Sequence, residues 1–405
     1  NTCFLNSVLQ ILSFTPPLWQ YLISANLNNC KQNGFCSFCA LSKLFRSMHN
    51  NSHKPIFPSD IVYNIKHICC RMRNGRQEDA HEFLVSLMDS LKKHFSADIK
   101  QLDRFSRETH MIDHIFGGWT RGTVTCLACQ HESTTFDPLL DINLDIENCS
   151  NVNTSIYHYF TPQRISGSTY LCPKCKKRVV AKKKVDIEKC PKFLIIQLKR
   201  FHFDGKSYSK NSKHINFDEE LDVTPYVLNG NESKYSLYGV IVHQGSTCNS
   251  GHYYAYAKSQ HGIWSQLNDS SVSATGIRRL LSDSAYLLFY QKIDSTASSS
   301  FLKSSNQEQY NSNDKNQTHH SRSMSHPSVH KKESVSKPSL KMINNSDNFS
   351  STYPPVARWN EKNNVTVSSS HSHRLLPSKS SSSVTSWDGG SNHIDHVVDQ
   401  TLKNN

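Results

Sequence analysis

The 405 residues are long enough for two or three domains, but only 36% of them are hydrophobic, which is low for a chain that packs throughout. The 46 Lys and Arg exceed the 33 Asp and Glu, and this excess indicates an anionic partner or a basic surface without specifying a reaction. Because no apolar run approaches the roughly 18 residues of a membrane span, we expect no membrane partner.

Residues 294–405 differ in composition from the rest of the chain. They contain 28 serines, and Asn, His and Lys fill much of the remainder. Such a segment has too little apolar surface to form a core, which predicts a disordered tail after a folded part at residues 1–293. Because the sequence starts at Asn1 and not at Met, we expect it to be a fragment.

The elements in chain order predict an α+β fold. Residues 3–12 form a short helix in this interpretation, with Cys3 in its first turn, and the Thr-Pro-Pro at 15–17 ends it. Residues 25–55 are polar and predict a loop or small insertion. Apolar residues at helical spacing make residues 77–94 the clearest helix.

Predicted strands dominate after Phe116. Alternating or continuous apolar runs place them at residues 120–125, 192–201, 235–243, 252–258, 263–267 and 285–292. Helices that come first and strands that follow are typical of the α+β class.

Two Cys-x-x-Cys pairs give the strongest metal signal. Cys126 and Cys129 are followed, after 42 intervening residues, by Cys172 and Cys175. Four thiolates fill a tetrahedral Zn²⁺ site and leave no open position, so this pattern predicts structural zinc that ties two hairpins together. Four unrelated buried thiols are the alternative.

Three further cysteines, Cys30, Cys36 and Cys39, cluster in the polar segment. Together with His49 they could form a second zinc site, although their spacing fits no zinc knuckle. Free thiols in a polar insertion are the alternative. The odd total of 13 cysteines, in a chain too long to need disulfides, favours a reducing compartment.

Cys3 is the candidate nucleophile, since free N–H groups and the dipole at a helix start favour a thiolate. Far along the chain, GHYYAY at 251–256 supplies His252 on a predicted strand, and WSQLND at 264–269 supplies an amide and a carboxylate. A thiol, an imidazole and a third polar group are the parts of a cysteine peptidase.

Motifs that include these residues, taken in order, resemble the landmarks of the ubiquitin-specific proteases, and the resemblance covers residues 1 to about 293. They are NTCFLNSVLQ at 1–10, QEDAHEF at 77–83, FGG at 116–118, the two Cys-x-x-Cys pairs, LIIQLKRF at 194–201, GHYYAY at 251–256 and AYLLFY at 285–290. GFCSFC at 34–39 and LNDS at 267–270 look most like the nuclear and nucleolar subgroup, which implies a nuclear or nucleolar location, with the cytoplasm as the alternative.

The resemblance implies a role for each matching catalytic residue. Cys3 would be the nucleophile, His252 the general base and then acid, and Asn268 the third member that orients the imidazole. Asp269 would supplement Asn268 with charge. The family's oxyanion asparagine lies five residues before the cysteine, outside the printed sequence, so we expect an incomplete oxyanion hole here.

The resemblance also implies the substrate site. Ubiquitin ends in Leu-Arg-Leu-Arg-Gly-Gly, and Asp79 and Glu82 would face its arginines, while Gly251 and Tyr253 would wall a slot for the two glycines. From sequence alone, helix capping is an equal explanation for Asp79.

The implied architecture is a papain-like cysteine peptidase with a helical thumb, a β-sheet palm and zinc-ribbon fingers at about 120–190. The implied enzyme is a thiol-dependent ubiquitinyl hydrolase that acts as a monomer on ubiquitinated proteins. An inactive ubiquitin-binding scaffold and a basic zinc module that binds nucleic acid are the alternatives. Nucleic acid is disfavoured because the basic stretch at 174–184 has no interleaved aromatic residues.

Overall fold

The computed structural model describes residues 1–30, 32–50, 54–94, 110–166, 169–203, 208–248 and 250–293. The predicted disordered tail, residues 294–405, lies outside the described residues. None of the helices in the described ranges combines the length and apolar character that a membrane crossing requires.

Helices dominate the first part of the described chain, and α1 lies at their centre, with every one of its residues buried. The helix α6 has an apolar face of six buried residues, as its spacing predicts. The helices are α1 (Cys3–Ser13), α2 (Pro16–Ser24), α3 (Ser37–Asn50), α4 (Ser59–Tyr63), α5 (Ile65–Ile68), α6 (Ala80–Lys93) and α7 (Met111–Phe116).

Two of these helices correct the sequence-based expectation. Pro16 starts α2, because a proline at the first helical position has a suitable φ and its missing N–H is not needed there. The helix α3 occupies nearly half of the segment predicted as a loop, 14 of the residues 25–55. Its average hydrophobicity is low, but Phe38, Leu41 and Phe45 form a buried stripe against neighbouring helices.

Strands dominate after α7, with two short helices, α8 (Val152–Phe160) and α9 (Ile277–Leu281). The strands are β1 (Gly118–Cys126), β2 (Glu132–Leu139), β3 (Asp141–Leu144), β4 (Gln163–Ile165), β5 (Ala181–Lys189), β6 (Phe193–Leu198), β7 (Phe201–Phe203), β8 (Tyr208–Lys210), β9 (Glu220–Asp222), β10 (Lys234–Thr247), β11 (Ser250–Lys258), β12 (Trp264–Asn268), β13 (Ser271–Thr275) and β14 (Ala285–Lys292). All six predicted strands overlap these, and the predicted α+β class is confirmed.

The largest sheet has the order β13-β12-β11-β10-β14-β6-β3. In addition, β9 pairs with the first three residues of β10, Lys234–Ser236. Its pairs are antiparallel except β3 with β6. Successive residues of a strand face opposite sides, so Ile195 and Phe289 pack against the helices, whereas Ile196 and Leu288 join a second core on the far face. Burial on both faces explains why β6 and β14 are almost continuously apolar.

A second sheet has the order β2-β1-β5-β4 and corresponds to the predicted fingers. The predicted range of about 120–190 is too broad, since β3 joins the largest sheet and α8 packs into the core on its far face. The remaining pair, β7 with β8, forms a two-stranded sheet.

Candidate active site

Cys3 is the first residue of α1, and its side chain is only 4% exposed. Thr2 precedes the helix without forming a side-chain cap. The thiol therefore lies where the N–H groups of the first turn and the helix dipole favour a negative charge.

His252 lies on β11, the strand that packs against α1. Its Nε2 donates a hydrogen bond to Asn268 Oδ1 at 2.6 Å. The antiparallel register of β11 and β12 pairs Ala255 with Leu267 and so brings Asn268 beside the imidazole. Because Nε2 donates to Asn268, Nδ1 is the ring nitrogen left to interact with the Cys3 thiol.

The environment of His252 stabilises its protonated form. The hydrogen bond with Cys3 is the largest contribution, and the Asn268 hydrogen bond and the charges of Cys3 and Asp269 add to it. Burial opposes them, and the net effect raises the pKa of His252 to about 9. At neutral pH the imidazole of His252 is therefore protonated and positively charged.

Asp269 follows Asn268 in the turn between β12 and β13 and adopts a left-handed φ of 47°. Its Oδ2 is 3.8 Å from His252 Nε2, so it influences the ring by charge and makes no direct hydrogen bond to it. Its Oδ1 accepts from Asn6 Nδ2 at 2.7 Å, and its carbonyl accepts from Gln10 Nε2 at 3.1 Å. Asp269 thus anchors the turn to α1, the helix that begins with Cys3.

Gly251 precedes His252 and has a φ of +147°, a conformation that side chains disfavour. An added Cβ would lie 2.4 Å from the Gln244 carbonyl oxygen and 2.6 Å from His243 Nε2. The N–H of Gly251 donates to Gln77 Oε1 at 3.0 Å. Gly251 thus presents backbone without a side chain beside the imidazole, and Gln77, in the segment that leads into α6, holds that backbone in place.

The predicted acidic residues are engaged within the protein. Asp79 caps α6 by accepting from the N–H groups of His81 and Glu82, and it also accepts from the Tyr286 hydroxyl at 2.7 Å. Glu82 pairs with Arg71 at 2.6 Å. The capping explanation for Asp79 therefore holds, and its carboxylate is additionally fixed against β14.

Tyr253 requires a correction. Its side chain is 1% exposed and packs on the ring of His243, with 4.5 Å between the centroids. Neighbouring residues of a strand face opposite sides, so the ring lies in the core and does not wall the cleft. The burial of His243, together with the charges of Lys210 and His252, lowers its pKa to about 4. It is therefore a neutral ring next to the charged His252.

Four neighbours of the site were not singled out from the sequence: Asn6, Gln10, Gln77 and Tyr286. Asn6 and Gln10 lie one turn apart on α1, and both are buried. Large polar residues at positions i and i+4 on a mostly apolar helix are the signal that could have identified them, because buried polar groups need partners.

The four finger cysteines come together. The Sγ atoms of Cys126, Cys129, Cys172 and Cys175 all lie within 4.8 Å of one another. Both pairs have the same local fold, since Gln130 and Lys176 follow the second cysteine with φ of 56° and 57°. This repeated turn directs all four thiols to one point, which suits a tetrahedral metal ion.

A second cluster corrects the prediction for His49. Cys30, Cys36 and Cys39 lie together with His94, and their ligand atoms are within 4.8 Å of one another. His49 instead lies with its ring centroid 6.2 Å from that of Trp19.

A family profile described as ubiquitin carboxyl-terminal hydrolase matches residues 1–290. The chain belongs to the ubiquitin carboxyl-terminal hydrolase family. The predicted family is thereby confirmed. The chain spans different shares of the length of its relatives. Ubiquitin carboxyl-terminal hydrolase 42 from Homo sapiens is 40% identical over 295 residues, which cover 72% of this chain and 22% of that relative. Probable ubiquitin carboxyl-terminal hydrolase 16 from Schizosaccharomyces pombe is 38% identical over 313 residues, which cover 76% of this chain and 68% of that relative.

Solved structures of DUB modules share the fold. The SAGA Ubp8/Sgf11/Sus1/Sgf73 DUB module bound to ubiquitin aldehyde matches with a TM-score of 0.63 and 28% identity, covering 72% of this chain and 68% of that chain. A SAGA DUB module of the same four proteins, bound to monoubiquitin, also has a TM-score of 0.63 and 28% identity, and covers 72% of this chain and 67% of that chain.

Proposed function

We propose that this chain is a deubiquitinating cysteine peptidase that hydrolyses the bond after the C-terminal glycine of ubiquitin. The observation that carries the proposal is the group formed by Cys3, His252 and Asn268. In this group the imidazole donates from Nε2 to the amide oxygen of Asn268 and also interacts with the Cys3 thiol. Membership of the hydrolase family and the ubiquitin-bound structural neighbours support it.

In the proposed reaction the Cys3 thiolate attacks the carbonyl carbon of the terminal glycine. The C–N bond then breaks, and His252 donates its proton to the departing lysine amine, which leaves a thioester on Cys3. His252 next takes a proton from water, and the resulting hydroxide attacks the thioester. The C–S bond then breaks, and ubiquitin departs as a carboxylate after its new carboxyl group has released its remaining proton to the solvent. The thiolate and imidazolium are thereby restored, and no organic cofactor enters the reaction.

We propose that Gly251 sets the preference for a glycine at the end of the substrate. The close contacts that an added Cβ would make with Gln244 and His243 restrict residue 251 to glycine, so no side chain projects from the backbone next to His252. An extended chain without side chains fits such a surface, and the last two residues of ubiquitin are glycines. Asp79 and Glu82 would add negative charge near the preceding arginines while keeping their contacts within the protein.

We further propose that the four finger cysteines bind one structural Zn²⁺. Four thiolates match the ligand preference of zinc and leave no vacant position for a water, so the ion would hold the fingers and take no part in hydrolysis. Reduced thiols are required for this site and for Cys3, which supports a reducing compartment, nuclear, nucleolar or cytoplasmic.

A ubiquitin with an electrophile in place of its C-terminal carboxylate tests the proposed activity. We expect one covalent adduct, mapped to Cys3 by peptide mass spectrometry. Binding of ubiquitin without formation of an adduct would instead favour the inactive scaffold.

The proposed proton donor predicts the alkaline limit of activity. A group whose pKa is raised keeps its proton below that value, so kcat/KM should stay level near neutral pH and fall as the pH rises through about 9, where His252 deprotonates. Asn268→Ala removes a hydrogen bond that raises this pKa, so the decline should move to lower pH. An unchanged alkaline limit in this variant would contradict the role of Asn268.

The two residues after Leu267 should give partial and overlapping losses of activity. Asn268→Ala and Asp269→Ala each remove one support of the His252 imidazole, so each should lower kcat, and the double variant should fall less than the product of the two effects. Asp269→Asn keeps an oxygen for Asn6 while removing the charge, and it should lose less than Asp269→Ala. Strictly multiplicative losses would show that Asp269 serves a group other than His252.

A further inference from the structure

Three cysteines and one histidine meet at the C-terminal end of α6, apart from the catalytic residues and the fingers. Their ligand atoms all lie within 4.8 Å of one another. Cys36 Sγ is 3.1 Å and Cys30 Sγ 3.9 Å from His94 Nδ1. Zn–S bonds of roughly 2.3 Å and Zn–N bonds of roughly 2.0 Å place the ligands of a tetrahedral ion about 3.5 to 4 Å apart, so this group has the required size.

We propose that Cys30, Cys36, Cys39 and His94 bind a second zinc ion. Three thiolates and one imidazole are a common ligand set for structural zinc, and four protein ligands leave no open position for catalysis.

Local folding brings the three thiols together. Cys30 follows the short 3-10 helix Leu27–Asn29, and Gly34 turns the chain back with a φ of +90°. Cys36 immediately precedes α3, and its carbonyl accepts from the N–H of Ala40 at 3.0 Å. Cys39 lies in the first turn of α3. Cys36 and Cys39 therefore form a Cys-x-x-Cys pair at a helix start, with Cys30 closing from the loop.

The histidine is oriented for the same point. His94 ends α6, and its ring stacks on Phe38 with 4.4 Å between centroids and 16° between planes. This stacking directs Nδ1 toward the thiols. Gln32 Nε2 also donates to the Lys93 carbonyl at 3.3 Å, which attaches the loop to the end of α6. The four ligands thus come from two elements that are already in contact.

The proposed ion would join α3 and the preceding loop to α6. The other end of α6 is capped by Asp79, two residues after Gln77. The side chain of Gln77 accepts a hydrogen bond from the N–H of Gly251, the residue next to His252. The site therefore fixes one end of a helix whose opposite end supports the catalytic strand. It acts through the fold, and its ligands take no part in the proposed hydrolysis.

Zinc analysis by inductively coupled plasma mass spectrometry on the purified full chain tests the proposal. Wild type should hold two zinc ions per chain, Cys172→Ser one, Cys39→Ser one, and the double variant none. His49→Ala, a matched histidine control on α3, should keep two. The proposal is overturned if wild type holds one ion that Cys172→Ser alone removes, or if Cys39→Ser leaves the count at two.

A conservative ligand exchange keeps the test decisive where Cys39→Ser does not fold. His94→Cys supplies a fourth thiolate and should retain two metal ions. In the protein loaded with Co²⁺, the sulfur-to-cobalt charge-transfer absorbance per chain should rise by about one seventh, since eight thiolates replace seven. An unchanged absorbance would show that residue 94 is not a ligand. Both readouts are independent of peptidase activity, so they test this site separately from the proposed function.

Discussion

Cys3→Ala should abolish hydrolysis of a ubiquitin conjugate, and His252→Ala should lower kcat by about 10⁴-fold or more, as removal of a triad member does in other peptidases. The thiol forms the covalent bond to the substrate, and the imidazole carries out both proton transfers. Because the two roles differ, neither residue can replace the other. Release of ubiquitin from a defined conjugate is the measurement.

The affinity for ubiquitin distinguishes a variant that has lost only its catalytic chemistry from one that has lost its fold. The affinity for ubiquitin should remain within a few-fold of wild type, because the contacts along the tail do not depend on the thiolate. Cys70→Ala is the matched control, since Cys70 is exposed and lies outside the site, and it should retain full activity. Turnover by Cys3→Ala within tenfold of wild type would refute the mechanism.

Cys172→Ser should remove the finger zinc and unfold the sheet that contains β1 and β5. Structural zinc contributes an apparent 10–16 kcal/mol in small zinc-binding peptides, which is comparable to the whole stability of a typical domain of about 5–15 kcal/mol. The fingers cannot replace this contribution with packing, because the outer strand β2 is mostly exposed. We therefore expect a severe loss of ubiquitin binding.

The alkylation rate of Cys3 by a small reagent separates this effect from damage to the catalytic site. That rate should be almost unchanged in Cys172→Ser, since Cys3 and His252 belong to α1 and the largest sheet. Cys190→Ser is the control, because its half-buried thiol contacts Ser233 and is not among the clustered cysteines. A Cys172→Ser variant that keeps its zinc and its ubiquitin affinity would contradict the four-thiolate site.

Local patterns in the sequence determined much of the fold. The helical spacing of α6, the continuous apolar runs of β6 and β14, and the paired Cys-x-x-Cys motifs are each encoded within short segments, so periodicity and spacing predict them. The family landmarks added Cys3, His252 and Asn268, and the structure brings these three together.

Only the tertiary structure decided which distant side chains meet. The sequence offered His49 for the second cysteine cluster because it is close along the chain, whereas the contact of α3 with α6 brings in His94. Similarly, α3 is a helix because its narrow apolar stripe is covered by neighbouring helices, which its polar composition does not reveal.

The same distinction holds within the catalytic site. The sequence identified Asp269 as a possible source of charge, but its attachment to Asn6 and Gln10 joins residues about 260 positions apart and depends on β12 packing beside α1. The resemblance to the family assigned Tyr253 to the cleft, and the alternation of the strand instead buries its side chain. Spacing along the chain determines which groups are available, and the packing of helices on the sheet determines which of them touch.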